Sequence, residues 1–262
     1  EGIDVLVLDV KFGRGAFMKE KAQARELAQA LVSVATAMGK PTRAILTAME
    51  QPLGRAVGNA LEVAESIECL KGRGPADTME VTYALAEQML VLAGVARTAT
   101  EARAALAHSI ASGAALEKFR AMITAQGGDA RVVDEPARLP QAKFKVALAA
   151  TRAGFVHDVD AMGVALAALR LGAGRVKTAD GVDHAVGFSE LVKVGEDLTN
   201  DLPKIDVKSE STRRLEARLN DSERELRPCQ NDLLIANQRI ENLVKTQQYQ
   251  EEQHNMSIAN LE

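Results

Sequence analysis

Two short apolar runs, each followed by a glycine-containing turn and a helical pattern, constrain this chain more than any other feature. The first run lies within residues 4–10 (DVLVLDV) and the second is residues 44–46. Continuous apolar runs of this kind are typical of strands buried on both faces of a parallel sheet. Between them, apolar residues from Leu27 to Met38 repeat at helical spacing until Gly39 ends the pattern. We therefore predict a β-α-β unit with a right-handed crossover.

The turns that follow the two strands are candidate parts of a ligand site. They read GRGAF (residues 13–17) and LGRAVG (residues 53–58). In open α/β sheets, ligands bind beyond the carboxyl ends of the strands, and glycines there let the backbone approach the ligand closely. On the pattern alone, GRGAF is better explained as a structural turn, because it matches neither a dinucleotide-binding motif nor a P-loop.

Downstream, the pattern predicts helices first and short strands afterwards. Helices are predicted at 60–70, at 77–92 with Asp77 as a candidate N-cap, from 98 or 100 onwards, at 113–123, and from 158 or 160 until the glycines at 172–174. Short strands are predicted at 131–133, 144–148, 154–156, 185–188 and 191–194. The fold class is thus α/β, with a mixed sheet and flanking helices, a small antiparallel β subdomain, and then an α-helical tail.

The composition changes sharply after residue 198, since residues 199–262 contain no glycine. Leu219, Leu226, Leu233 and Ile240 recur every seven residues, whereas Pro228 interrupts the helix. This pattern predicts a coiled-coil-like helical tail over residues 199–262. A solvated helix and a self-associating coiled coil both fit it.

Composition also excludes several classes of protein. The formal net charge is −4 and the basic residues are scattered, which argues against nucleic acid as a partner. No run approaches the ~18 apolar residues that would span a bilayer, and no signal peptide is recognised. Cys69 and Cys229 are expected to be free thiols of a reducing compartment. The start at Glu1 is interpreted as that of a fragment or a processed chain.

The second turn also carries a candidate cation site, made of backbone carbonyls before Gly58 and a carboxylate from the following helix. If residues 56–65 formed one straight helix, its ends would lie about 13 Å apart at ~1.5 Å per residue and could not share an ion. The site therefore requires the segment before Gly58 to fold back. On the pattern alone, Glu65 is better explained as a solvated helix residue.

Three segments, DVKFGRGAFM, LTAMEQPLGRAVGNALEV and KTADGVDHAVGF, strongly resemble the thymidine and pyrimidine-nucleoside phosphorylase family over residues 2–198. The resemblance implies phosphorolysis of a pyrimidine nucleoside to the free base and a pentose 1-phosphate, with phosphate as co-substrate. It also implies a cytoplasmic homodimer. The chain would then contain part of the α/β core (1–126), a truncated C-terminal subdomain (127–198) and the tail (199–262).

The resemblance also assigns site residues. It places Phe17 in the pyrimidine pocket, near the C5 substituent, and the carbonyls of Leu53 and Ala56 with the Glu65 carboxylate around a potassium-like ion. It assigns no catalytic residue and no organic cofactor to this chain. The family's phosphate- and base-binding groups precede the position of Glu1, so the chain is expected to be inactive by itself.

Two other functions fit the sequence. One is a non-catalytic scaffold or interaction protein that assembles through residues 199–262. The other is a related enzyme that resembles AMP phosphorylases or phosphoribosyltransferases. Neither would involve nucleic acid or a membrane as partner.

Overall fold

The computed structural model describes residues 2–148, 150 and 153–198. These residues belong to the first of the two units into which the chain divides, residues 1–203. The predicted coiled-coil tail, residues 199–262, lies outside the described residues. The division of the chain at residues 126 and 198 likewise stays a prediction.

Two parallel strands joined by a helix open the fold. Strand β1 is Leu6–Phe12, helix α1 is Lys21–Ala37 and strand β2 is Thr42–Ala48. The strands pair in parallel along their whole length, beginning with Leu6 opposite Thr42. The predicted β-α-β unit is confirmed. It forms because an apolar run, a helical repeat, a glycine-proline stop and a second apolar run follow one another closely in the sequence.

The core of this unit uses small side chains on the helix. Ala24 and Ala28 of α1 are buried against Val10 of β1. Larger, partly buried side chains surround them: Leu8, Phe12, Met18, Leu27, Ala44 and Leu46. Alanines on the inner face let α1 lie close to the strands, which suits a chain in which only 3% of the residues are aromatic.

Helices make up most of the remaining described structure. They are α2 (Asn59–Leu70), α3 (Ala76–Leu92), α4 (Ala99–Ala111), α5 (Ala114–Ala125) and α6 (Ala161–Ala168). Short 3-10 helices occupy Ala130–Val133 and Pro136–Arg138, and a π-helical turn, Leu169–Ala173, follows α6. Within the described ranges, no helix combines the length and apolar character needed to cross a bilayer.

The structure decides one helix start that the sequence left open and corrects another. The Thr98 hydroxyl accepts the Glu101 amide at 3.1 Å and caps α4, so the helix follows Thr98 and not Thr100. Asp77 was the predicted cap of α3, but Pro75 occupies the N-cap position. The Asp77 carboxylate lies in the first turn instead, where it accepts the Thr78 amide at 2.9 Å.

The predicted mixed sheet is wrong for the described residues, whose sheet consists of β1 and β2 in parallel. The predicted antiparallel subdomain is also reduced to isolated bridges, which pair Val57 with Phe188 and Phe155 with Asp197. A strand needs a neighbour along its length to pair its N–H and C=O groups. In the described part of the predicted subdomain, backbone pairing is limited to single residues, so no strand forms.

The predicted strand at 144–148 is wrong for a related reason. No ladder pairs this segment with another described strand, and Phe144, Val146 and Leu148 are exposed. Alternation of apolar residues therefore does not reflect one buried face here.

The predicted strand at 131–133 is a 3-10 helix instead. The Asp129 carboxylate accepts the Arg131 amide at 3.0 Å, which begins a helical turn rather than a strand. Val133 is fully buried, so its apolar character reflects a core contact that either conformation could make.

Candidate functional site

The turn after β2 leaves the helical path and folds back along α2. Helix α2 begins only at Asn59, and from Pro52 to Ala60 every second residue is buried. Residues 53–55 form a bend, so the chain before Asn59 is not helical and turns back on itself. Glu65, in the second turn of α2, reaches back so that its Oε1 accepts the Arg55 amide at 2.8 Å. The fold-back that the predicted cation site requires is therefore present.

Gly54 lies at the closest point between this turn and α2. Its φ is +72°, and a Cβ there would overlap Glu65 Oε2 and lie 3.0 Å from Thr78 Oγ1. The positive φ favours glycine, and a side chain at this position would displace the Glu65 carboxylate. The Thr78 hydroxyl is buried and has no hydrogen-bond partner among the described residues. A carboxylate oxygen and an unpaired hydroxyl oxygen thus lie beside the same glycine, and both are donor atoms that suit a hard cation.

The Glu65 carboxylate is costly to ionise where it stands. Burial raises the pKa of Glu65, the Arg55 amide lowers it, and the nearby charges of Asp77 and Lys193 act in opposite directions, with an upward net result. A cation at this carboxylate would favour the ionised form and lower its pKa. The local electrostatics therefore favour a positive ligand.

An ion pair holds the other side of the turn. Lys193 Nζ donates to Asp77 Oδ2 at 2.7 Å and to the Pro52 carbonyl at 2.6 Å. Asp77 Oδ2 also accepts the Gly54 amide at 3.2 Å. Burial opposes the charge of Asp77, but Lys193 and the amides of Gly54 and Thr78 outweigh it, so the pKa of Asp77 is lowered. Asp77 is therefore a stable anion beside the turn.

The segment 186–196 covers the turn from outside. Val57 and Phe188 exchange both backbone hydrogen bonds, each at 2.8 Å, and the Leu191 amide donates to the Arg55 carbonyl at 3.0 Å. The Arg55 guanidinium forms an ion pair with Glu196. Residues far apart in sequence thus fix both the backbone and the side chains of this turn.

The turn after β1 is a compact loop that carries Phe17 on its surface. The Gly13 amide donates to the Met18 carbonyl at 3.0 Å, and Lys19 Nζ donates to the carbonyls of Arg14 and Ala16 at 2.8 and 2.9 Å. The Phe17 side chain is 73% exposed. Phe17 is therefore available for contact with a ligand, and the loop that carries it closes upon itself.

Arg14 joins this loop to two other segments. Its Nε donates to Glu50 at 3.1 Å, and its Nη1 donates to Asp158 at 2.7 Å. Asp158 just precedes α6, whose first amide, that of Ala161, donates to the Glu50 carbonyl at 3.1 Å. The two strand-to-helix joints and the start of α6 are thereby connected at one edge of the sheet.

No cluster of three or more His, Cys, Asp or Glu side chains suited to a metal ion occurs among the described residues. A cation held here would therefore use other oxygen atoms, such as backbone carbonyls, beside a carboxylate. Such oxygen ligands suit hard cations, whereas zinc and copper favour nitrogen and sulfur ligands.

Two family models match the chain. The model described as "Glycosyl transferase family, a/b domain" matches residues 1–116. The model described as "Pyrimidine nucleoside phosphorylase C-terminal domain" matches residues 155–222, and so extends beyond residue 198 into the segment that is not described.

Curated relatives agree with these models. Pyrimidine-nucleoside phosphorylases from Staphylococcus aureus strains USA300, NCTC 8325 and N315 are each 48% identical over 195 residues, which are 74% of this chain and 45% of each relative. The chain belongs to the pyrimidine-nucleoside phosphorylase family. It spans about half the length of these relatives.

Within this family, the two matched domains meet at the turn that carries Leu53 and Ala56. The turn belongs to the α/β match, whereas Phe188, Lys193 and Glu196 belong to the C-terminal match. The turn of Leu53 and Ala56 therefore lies where segments from the two family matches contact each other.

Sequence reasoning missed Asp77 and Lys193 as parts of this site. The sequence predicts Asp77 only as a helix cap and Lys193 only as part of a short strand. Neither stands near Glu65 in a motif, so only the fold shows that they meet. The glycines of LGRAVG were the available signal, because they show that the backbone is closely approached there.

Proposed function

We propose that this chain forms part of a pyrimidine-nucleoside phosphorylase. In that reaction, a phosphate oxygen bonds to C1 of the pentose, the bond from C1 to the base nitrogen breaks, and its electron pair leaves with the base. The observation that carries the proposal is 48% identity over 195 residues, with both domain matches in the same chain. A cytoplasmic homodimer that acts on thymidine or uridine is part of the same proposal.

Phe17 is proposed to line the pyrimidine pocket. Its ring is mostly exposed on a loop closed by its own hydrogen bonds, so it can contact a flat base without a change of backbone. The enzyme's catalysis would rest on positioning of the two substrates and on stabilisation of the departing base anion.

Leu53, Ala56 and Glu65 are proposed to hold a monovalent cation such as potassium through two carbonyls and one carboxylate. The residues fit such an ion, because Glu65 is folded back on the turn, Gly54 leaves no Cβ in the way, and the buried Thr78 hydroxyl is unpaired among the described residues. When bound, the cation supplies a fixed positive charge that joins the turn to α2.

A chimeric enzyme tests the proposed reaction. The 195 aligned residues would replace their counterparts in the Staphylococcus aureus relative. We expect the chimera to release thymine from thymidine and uracil from uridine, each only when inorganic phosphate is present. Detection of the free base by chromatography measures this. The intact relative is the positive control, and AMP is the substrate that separates the AMP phosphorylase alternative.

A folded chimera that releases no base with phosphate, while the intact relative does, would contradict the proposed function. Release of adenine from AMP in place of thymine or uracil would instead support the related nucleotide enzyme.

Cation binding is expected to weaken as the pH falls. The ionised Glu65 carboxylate is the form that binds a cation, and because its pKa is raised, protons compete at a higher pH than for an ordinary glutamate of pKa about 4.3. The increase in Tm caused by KCl, relative to choline chloride at equal ionic strength, would be measured between about pH 8 and about pH 5. Glu65→Gln should abolish the increase at every pH. An increase that is equal at both ends of the range, or that persists in Glu65→Gln, would remove Glu65 from the site.

A further inference from the structure

The two carbonyls of the proposed cation site belong to peptide units whose N–H groups are held by hydrogen bonds. The Leu53 carbonyl shares a plane with the Gly54 N–H, and the Ala56 carbonyl shares one with the Val57 N–H. Because a trans peptide is planar, its C=O points away from its N–H, and the partner of the N–H sets the direction of the carbonyl. The partners of these two N–H groups therefore orient both carbonyls.

The first partner is a side chain. The Gly54 amide donates to Asp77 Oδ2 at 3.2 Å, and the same oxygen accepts Lys193 Nζ at 2.7 Å. Lys193 Nζ also donates to the Pro52 carbonyl at 2.6 Å, so this carbonyl points towards the ammonium. The peptide units on both sides of Leu53 are thus held by one ion pair.

The second partner is backbone. The Val57 amide donates to the Phe188 carbonyl at 2.8 Å, in the same outer segment that carries Lys193. Ala56 itself is 8% exposed, which leaves its peptide little freedom to rotate. The segment 186–196 therefore orients both carbonyls. It binds the Val57 amide directly, which orients the Ala56 carbonyl, and it holds Asp77, which orients the Leu53 carbonyl.

This ion pair differs from an ordinary surface salt bridge. The Lys193 side chain is only 14% exposed, and its ammonium has a carboxylate and a carbonyl as partners. Asp77 in turn accepts two backbone amides besides the lysine. Charge-assisted hydrogen bonds that are partly buried hold a geometry more strictly than exposed pairs do.

We propose that Lys193 and Asp77 are positioning residues, which orient the Leu53 carbonyl so that it and Glu65 bind the same monovalent cation. This inference rests on the cation site of the proposed function. The proposed ligands all lie in the α/β match, whereas Lys193 lies in the C-terminal match. The C-terminal match would therefore help to form a site to which it supplies no ligand. Lys193 and Asp77 contact the turn and are not proposed as ligands of the ion.

The test measures cation affinity in the full 262-residue chain. Thallium(I) nitrate serves as the probe, because thallium(I) is close to potassium in size and gives an NMR signal that shifts on binding. We expect Lys193→Met and Asp77→Asn each to weaken thallium affinity by about tenfold, since each loses a charge-assisted hydrogen bond. Lys193→Arg should recover part of the loss, because arginine keeps the charge and the donors.

Lys177→Met is the matched control. Lys177 lies in the same C-terminal match, is exposed, and its ammonium makes no ion pair or hydrogen bond with the described residues. Its thallium affinity should equal that of the unmodified chain. Circular dichroism without cation establishes that each variant is folded, and Asp77→Asn, which keeps the size of the side chain, serves should Lys193→Met fail to fold.

The outcomes separate the two proposals. If the unmodified chain binds thallium and Lys193→Met or Asp77→Asn binds it equally well, the positioning role is overturned and the cation site stands. If the unmodified chain shows no thallium shift, the cation site is overturned, and the positioning role with it. Recovery in Lys193→Arg together with an unchanged Lys177→Met supports the positioning role, because a general loss of stability would not follow charge in this way.

Discussion

Gly187→Ala is expected to lower the free energy of unfolding by about 3 kcal/mol. Gly187 has a φ of +153°, and a Cβ there would overlap the Val57 carbonyl oxygen and lie 3.0 Å from the Gly58 Cα. These are backbone atoms of the paired segment, so no side chain can move aside to make room. The substitution must therefore separate residue 187 from the turn that it covers. Urea unfolding followed by circular dichroism measures the change.

Two other glycines of the same C-terminal region divide this effect into its parts. Gly154 has a similar φ, +150°, but its Cβ would meet nothing within 4 Å, so Gly154→Ala measures the backbone strain alone. Gly181 has neither a positive φ nor a close neighbour, and Gly181→Ala should be near neutral. If Gly187→Ala costs no more than Gly154→Ala, the close approach of the two segments is not what requires glycine.

Ile67→Ala is expected to lower the free energy of unfolding by about 2 to 5 kcal/mol. Ile67 is fully buried, and it lies in α2 two residues after Glu65. The loss combines the transfer of apolar surface to water on unfolding with the cavity left in the folded state. In urea, we expect a lower midpoint with an unchanged slope, because the surface exposed on unfolding stays nearly the same.

Val63→Ala is the control on the same helix. Val63 is 36% exposed, so its truncation should cost clearly less than that of Ile67. Both changes keep a residue that favours helix, so the comparison reports burial and not helix propensity. Equal losses at the two positions would show that α2 is not anchored through Ile67.

The part of the fold that sequence predicts best is local. The β-α-β unit from Leu6 to Ala48 needs only a strand pattern, a helix pattern and a stop, all within one short stretch. The Thr98 cap is likewise readable, because its partner Glu101 is three residues away. In these cases the interactions that decide the structure lie next to each other in the chain.

The strands predicted at 131–133 and 144–148 are wrong because a strand depends on a partner that the local sequence does not specify. Arg131 and Val132 satisfy a strand pattern, but the Asp129 carboxylate accepts the Arg131 amide, and a helical turn starts there. At residues 144–148 the alternation is present, yet no described strand lies alongside to pair with it. Strand formation depends on a partner, and a period of two does not specify one.

The candidate site divides in the same way. The sequence predicts the fold-back only as the condition for a shared ion, because the ends of a straight helix over residues 56–65 could not bind one ion together. The bonds that Asp77 and Lys193 make to the turn, and that of Arg14 to Asp158, join residues far apart in sequence. A single charged residue outside any motif predicts only a solvated side chain. Its partner becomes known only from the folded structure.

The self-closed loop after β1 has a consequence for how substrate preference could change. The Lys19 ammonium and the Gly13 amide hold the loop's backbone without using the side chain of Phe17. In the proposed enzyme, the shape of the base pocket on this side would thus depend on a side chain that the loop does not need for its own structure. A substitution at residue 17 would then change the preferred base while the backbone of the loop stays as it is.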